Sequence, residues 1–307
     1  MTNKGYIPDV LEQPRMPRAP QVTLPAFSCD THCHVFGPYE QYPLQQPSSY
    51  APPDAPAARY LKMLDTVGMD RGVLVQPAPY GTDPSAIIDA IALRKDTLRG
   101  VAVASSDATA QYLKSLHAAG IRGLRFVEAR DPAGNLFAGS VGFDSIATLA
   151  PAMQEAGLHA QVWGPYDTYL NHLERLADLG IPLVIDHMAS LVIDRGLQDP
   201  VFKLILKLLQ EGKLWMKLSV CRVSKNAPRY QDLRPFHDAL LTANSDRLLW
   251  GSDWPYVRMG QSAPDVGELI DLAYAWLQDD ETRHKVWVRN PEQLYGFEHS
   301  TEVKNVV

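Results

Sequence analysis

Strand-like and helix-like segments alternate eight times along this 307-residue chain, and few folds accommodate that order. The apolar segments Phe27–Val35, Gly72–Gln76, Gly100–Ala104, Gly123–Val127, His159–Gly164, Leu183–His187, Leu214–Val220 and Arg247–Asp253 are short and mostly β-branched or aromatic, which suits buried strands. Between them the spacing predicts helices over Ala57–Val67, Asp83–Lys95, Ala108–Ala119, Asp144–Ala156, Tyr166–Leu179, Pro200–Gln210, Tyr230–Ala243 and Pro264–Gln278. Gly68 stands where a C-cap belongs, and Asp83-Pro84 reads as an N-cap followed by a proline at the first helical position. Strands that alternate with helices lie parallel, and eight such units predict a single-domain (β/α)8 TIM barrel. The rival is an open doubly wound sheet, but no G-x-G-x-x-G follows the first strand. Residues 1–25, rich in proline and polar types, are expected to form an arm on the surface of a barrel spanning 26–307.

A hydrophobic share of 46% is ample for one large core, and a net charge of −6 argues against a nucleic-acid partner. An anionic small molecule would need a local cluster of cationic side chains, because the overall field repels it. The three cysteines, Cys29, Cys33 and Cys221, form neither a paired framework nor a C-x-x-C motif. The N-terminal residues carry no apolar stretch of signal-peptide length, and no run is long enough to cross a bilayer. A cytoplasmic enzyme without a membrane is the expectation, with the oligomeric state left open.

The strongest chemical signal is Asp30-Thr31-His32-Cys33-His34 near the end of the first strand. Strand alternation sends His32 and His34 to the same face, the barrel mouth, and Cys33 toward the helices as a small hydrophobe. The sixth strand ends at His187 and the eighth at Asp253, and barrel enzymes carry their reactive groups at such C-terminal ends. Four polar residues from strands one, six and eight are therefore expected to converge. They can hold a metal ion or act directly on a carbonyl group.

These segments, D-T-H-C-H-V-F-G-P, I-D-H-M, W-G-S-D-W-P and the later N-P-E-Q-L-Y-G-F, resemble the amidohydrolase superfamily. The similarity covers about Phe27 to Phe297 and is greatest to the branch of 2-pyrone-4,6-dicarboxylate lactonase and related lactone hydrolases of aromatic catabolism. The resemblance implies hydrolysis of a small anionic lactone. Asp253 would activate water, while His32, His34 and His187 polarise the carbonyl directly or through a metal. Two-metal members have a bridging lysine after strand four, where this chain reads G-L-R-F-V-E-A-R. Trp163 stands where many have a further histidine after strand five. One Zn²⁺ on His32, His34, His187 and Asp253 and a metal-free site both remain open. A zinc-dependent decarboxylase of the same superfamily is the alternative activity, and a barrel that only binds its ligand is a third.

For the substrate's acid group the candidates are Arg125 at the end of strand four, Arg130 just beyond, and Arg222 after strand seven, although Arg130 and Arg222 suit surface salt bridges equally well. Tyr50, in the long Pro- and Tyr-rich loop Gly37–Pro56, and Trp163 can pack against a flat ring or serve as ordinary lids. The sequence departs from the pyrone lactonases in two places. Ala189-Ser190 follows I-D-H-M in place of Gly-Arg, and Tyr256 follows D-W-P in place of His. A related but different lactone is therefore expected. His117, His172, His237 and His284 fall in helices and read as surface or cap residues.

Overall fold

The computed structural model describes residue 7 and residues 12–45, 48, 50 and 52–298. Eight parallel strands follow one another around a single sheet in chain order. They are β1 (Cys29–Cys33), β2 (Arg71–Val75), β3 (Leu98–Ala102), β4 (Ile121–Val127), β5 (His159–Trp163), β6 (Leu183–Ile185), β7 (Trp215–Lys217) and β8 (Leu248–Leu249). The sheet closes where the segment after β8 runs beside β1. Thr31 N–H donates to Trp250 O at 3.0 Å, Asp253 N–H to His32 O at 2.8 Å and His34 N–H to Trp254 O at 2.8 Å. The (β/α)8 barrel expected from the alternation is the fold.

Helices α1 (Ala57–Val67), α2 (Ser85–Leu93), α3 (Ala110–Ala118), α4 (Asp144–Ala156), α5 (Thr168–Ala177), α6 (Pro200–Gln210), α7 (Arg234–Asn244) and α8 (Val266–Trp276) surround it. Local chemistry sets their ends. Gly68 and Gly157 take the left-handed conformation that closes α1 and α4. Asp199 accepts from the N–H groups of Val201 and Phe202 at the start of α6, with Pro200 in the first turn. At α2 the cap position falls to Pro84 rather than Asp83, whose carboxylate instead accepts from Ser85 N–H at 3.0 Å. Among the described residues no helix is long and apolar enough to cross a membrane.

Two apolar layers follow from the strand alternation. Residues such as Leu74, Ala102, Leu124 and Ile185 pack outward with the helices. Cys29, Val73, Val75, Val101, Val184 and Leu249 form a separate inner cluster with Tyr295 and Phe297. These last two come from a segment that the helical spacing left unassigned, with α9 (Asp280–His284), one π-helical turn (Lys285–Arg289) and α10 (Asn290–Tyr295). The Phe297 ring lies 5.1 Å from the Arg71 guanidinium and 4.7 Å from that of Arg99, at the beginnings of β2 and β3, so this segment plugs the N-terminal end of the barrel. The opposite end is left for chemistry.

From Glu12 onward the arm is tied down across that side of the molecule. Arg59 donates to Pro14 O at 2.6 Å, Arg18 pairs with Asp271 at 2.7 Å, and Arg18 N–H donates to Asp265 at 3.0 Å. Positions 46, 47, 49 and 51 of the loop Gly37–Pro56 lie outside the described residues. The rest is anchored, with Phe36 bridged to Ala55 and Tyr39 donating to Pro53 O at 2.9 Å.

Candidate active site

β1 does not run smoothly to its end. Asp30 is opposite Gly72 and Cys33 opposite Leu74, so three steps on β1 match two on β2. Such a bulge re-aims the residues beside it. Asp30, fully buried, ties this irregular stretch to the segment after β8. Its Oδ1 accepts from Ser252 N–H at 2.8 Å and His32 N–H at 3.2 Å, and its Oδ2 accepts from Ser252 Oγ–H at 2.6 Å. Burial raises the Asp30 carboxyl to about 6, although those donors and Tyr60 pull the other way. The two segments also need a glycine between them. A Cβ on Gly251 would lie 2.6 Å from the His32 Cβ.

β6 and β8 are shorter than the sequence suggested. β6 stops at Ile185, and His187 opens a turn in which His187, Met188, Ala189 and Ser190 all have positive φ, between 49° and 59°. Four non-glycine residues in that region are strained. The turn is held by Ala189 N–H on Asp186 O at 3.0 Å, by buried Met188 and Ala189, and by Trp163 Nε1–H on Ser190 Oγ at 3.1 Å. β8 stops at Leu249, and Asp253 is also left-handed, with φ 63°. The backbone thus leaves regular geometry where it presents His187 and Asp253.

The four residues meet. Asp253 Oδ1 lies 3.6 Å from His32 Nε2, 3.7 Å from His34 Nε2 and 3.8 Å from His187 Nε2. All four are at least 95% buried. His34 Nδ1 is 2.7 Å from Val75 O. A carbonyl oxygen only accepts, so Nδ1 carries the hydrogen and Nε2 is a bare lone pair. Burial, with the charge of Arg125 added, pushes His34 down to about 3, and burial likewise lowers His32 and His187. On the other side Arg222 Nε–H is bonded to Asp253 Oδ2, and its Nη1–H donates to Val257 O at 2.9 Å. Burial alone would raise the Asp253 carboxyl, but Arg222 and the imidazoles hold it below the usual carboxylate range.

This donor set fits a divalent cation. The Nε2 atoms of His32 and His34 are 3.4 Å apart with the carboxylate oxygen beside them, and the ligand atoms of His32, His34 and Asp253 lie within 4.8 Å of one another. The bare His34 Nε2 and the Asp253 carboxylate can both offer electron pairs to a cation, and His32 joins them when its Nε2 carries no hydrogen.

Below this cluster lies a layer that the sequence reading missed. Asp186 just after β6, Gln161 in the middle of β5 and Lys217 at the end of β7 are all fully buried. Asp186 Oδ1 is 3.2 Å from His32 Nδ1 and 3.4 Å from Lys217 Nζ, and Lys217 also donates to Gln161 Oε1 at 2.8 Å and Thr31 O at 2.9 Å. The available signal was a lysine inside the apolar run L-W-M-K-L.

The other candidates divide. Arg125 has no carboxylate partner among the described residues, only Gln76 O at 3.1 Å, and lies near enough to His34, His187 and Tyr50 for its charge to be felt by all three. Arg130 is instead exposed and turned away to Glu128, at 2.6 Å. Tyr50 packs on Phe36, with ring centroids 6.3 Å apart, and Phe36 packs on His34 at 6.5 Å. Tyr256 is buried, its N–H donates to Asp253 O at 2.9 Å, and its hydroxyl has no hydrogen-bond partner among the described residues. Tyr50, Tyr256 and Arg258 line a cavity of about 760 Å³ closed on one side by Arg15 and Met16 of the arm. The imidazoles and Asp253 are not on its wall. Arg222 joins the two spaces, reaching from Asp253 to Val257, which lines the cavity. Of the helical histidines, His237 is not a surface residue: it is 2% exposed, with its ring 5.0 Å from that of Trp276. Cys33, Cys29 and Cys221 are free and buried.

A closed parallel barrel with histidines from β1 and β6 and an aspartate after β8 at its mouth defines a class of hydrolases. The chain belongs to the amidohydrolase family, whose sequence model matches residues 29–297. It is 33% identical to a 4-sulfomuconolactone hydrolase of Hydrogenophaga intermedia over 89% of this chain and 90% of that protein. It is 32% identical to a 2-pyrone-4,6-dicarboxylate hydrolase of Comamonas testosteroni over 91% and 93% of the two chains. Among solved structures, a probable 2-pyrone-4,6-dicarboxylic acid hydrolase of Acinetobacter baumannii, with citric acid bound, superposes with a TM-score of 0.76 at 27% identity. That match covers 88% of this chain and 100% of the other.

Proposed function

We propose that this protein hydrolyses a small anionic lactone of the pyrone or muconolactone type, possessing a carboxylate or sulfonate, with one zinc ion held by His32, His34, His187 and Asp253. The observation that carries the zinc is the hydrogen bond from His34 Nδ1 to Val75 O, at 2.7 Å. It leaves His34 Nε2 without a hydrogen, so a neutral His34 cannot donate to a lactone carbonyl. His34 could act as a direct donor only as an imidazolium, which burial opposes, whereas its bare Nε2 is ready to bind a metal. Bound at these residues, zinc would polarise the lactone carbonyl and make water easier to deprotonate.

The chain's own groups do the rest. Asp253, kept ionised by Arg222, takes a proton from water as the oxygen adds to the carbonyl carbon. The ring C–O bond then breaks, the proton passes to the departing ring oxygen, and a hydroxy acid results. Arg125, without an anionic partner among the described residues, orients the substrate's acid group beside His34, and Arg222 borders the same space. The cavity walled by Tyr50 and Tyr256 is the route in, and Trp163 steadies the turn that presents His187 through its bond to Ser190. The relatives are named lactone hydrolases, and nothing in those names favours the decarboxylase alternative.

The test is turnover of a panel of carboxylated and sulfonated muconolactones and pyrones, combined with metal analysis. Turnover with one zinc per chain, lost on chelation and restored by zinc, is expected. Full turnover by metal-free protein would remove the zinc. Release of CO₂ from an aromatic or muconate acid, with no lactone opened, would remove the hydrolase.

A further inference from the structure

Cationic side chains continue outward from Arg125 and Arg222. Arg15, on the arm, and Arg258, after β8, both line the cavity outside them, and neither has an ion pair or hydrogen bond among the described residues. The backbone at each is fixed. Arg15 follows Pro14, whose carbonyl accepts from Arg59 Nη2–H at 2.6 Å and Nε–H at 3.1 Å. Beyond it, the arm lies so close to the start of α8 that a Cβ on Gly267 would be 2.4 Å from Arg18 O. Arg258 follows Val257, whose carbonyl accepts from Arg222 at 2.9 Å, and it is held in the left-handed region at φ 70°. The acids on the same wall leave both guanidinium groups unneutralised. Asp265 is taken up by the N–H groups of Arg18, Gly267 and Glu268, and exposed Glu12 pairs with neither arginine. Tyr50 links the inner and outer groups, since the charge of Arg125, Arg222 and Arg258 all reaches its hydroxyl.

We propose that Arg258 and Arg15 form an outer anion subsite for a second acid group of the substrate. The substrate is then a diacid, with one acid held by Arg125 beside the imidazoles and the other reaching outward into the cavity. Nearer the imidazoles, Arg130 is turned away to Glu128 and the turn after His187 presents Ala189 and Ser190, so the second acid finds its cation farther out. A chain of net charge −6 repels a dianion, and guanidinium groups left unpaired along the path oppose that field locally. The inference deepens the lactone reading above by naming the substrate class, and its test needs no turnover.

Calorimetric binding of glutarate, adipate, pimelate and suberate to the full-length protein is compared with that of the monocarboxylate of the same length. At least one dicarboxylate should bind about tenfold more tightly than its monocarboxylate, the worth of one charge-assisted contact, and the advantage should shrink as salt is raised. Arg258→Gln and Arg15→Gln should each reduce that ratio, the double variant should bring it close to one, and Arg258→Lys should keep part of it. Both side chains are exposed, so the variants should melt close to the parent. No advantage for any length in the unaltered protein, or an advantage that survives in the double variant, overturns the proposal. Failure of the lactone reading would look different, with the dicarboxylates bound as expected but no lactone opened.

Discussion

Replacing Asp253 by Asn keeps the shape of the side chain and removes its charge, and the structure dictates which way the new amide turns. Arg222 Nε–H needs an acceptor, so the amide oxygen takes the place of Oδ2. The amide NH₂ then occupies the Oδ1 position, where the Nε2 atoms of His32, His34 and His187 lie 3.6–3.8 Å away. The bare His34 Nε2 then meets hydrogens instead of an anion. The base is lost and the ligand set is blocked in one step. Loss of a positioned general base alone lowers kcat by about 10²–10⁴-fold, or roughly 3–5 kcal/mol of barrier. With the ligand set blocked as well, the upper end of that range is expected. The anchor Arg125 is untouched, so KM for an anionic lactone should stay within about threefold. The Arg222 contact weakens from an ion pair to a hydrogen bond between the guanidinium and a neutral oxygen, a change of about 1 kcal/mol, so the variant should melt close to the parent. The assay is steady-state lactone opening with zinc in excess, alongside thermal unfolding. A folded variant with kcat within tenfold of the parent would refute the assignment of Asp253.

Three further outcomes follow from the same geometry. Arg125→Met should raise KM by about 10–100-fold with kcat nearly unchanged, the loss of one charge-assisted contact, and an unchanged KM would take Arg125 out of the acid site. Gly251→Ala brings a methyl to 2.6 Å from the His32 Cβ, where the backbone must yield, so stability should fall by about 1–3 kcal/mol with loss of activity. Near-parental melting and turnover would mean that β1 and the β8 segment are less tightly joined than described. His237 is held neutral, burial lowering it to about 4 from an ordinary 6.5, so the unfolded chain binds the proton more readily and stability drains away as pH falls from 6.5 toward 4. Its share is at most about 3 kcal/mol. In His237→Phe, urea unfolding should depend less on pH across that window, and an unaltered dependence would assign the loss elsewhere.

The elements that were legible in the sequence are those with local punctuation. α1, α4 and α6 match their expected spans because Gly68, Gly157 and Asp199-Pro200 mark where backbone geometry changes. β6 and β8 were drawn too long, since an apolar run such as R-L-L-W-G-S-D does not reveal where pairing ends and positive φ begins. The segment from Asp280 to Phe297 went unassigned because its role, filling the barrel floor, follows from its surroundings rather than from a period. The site divides in the same way. His32, His34, His187 and Asp253 were legible because reactive groups collect at one end of every strand. Asp186, Gln161 and Lys217 were not, because they come from three separate strands and acquire meaning only when set side by side.

The join between β1 and the stretch after β8 has a consequence for how the protein matures. His32 and His34 leave the ribosome early, while Asp253 and the floor residues Tyr295 and Phe297 come from the last fifth of the chain. Half of the proposed reactive centre therefore waits, in any nascent or truncated form, for the other half to arrive. Turnover appears only once the ring is sealed, which makes catalysis itself a gauge of finished folding.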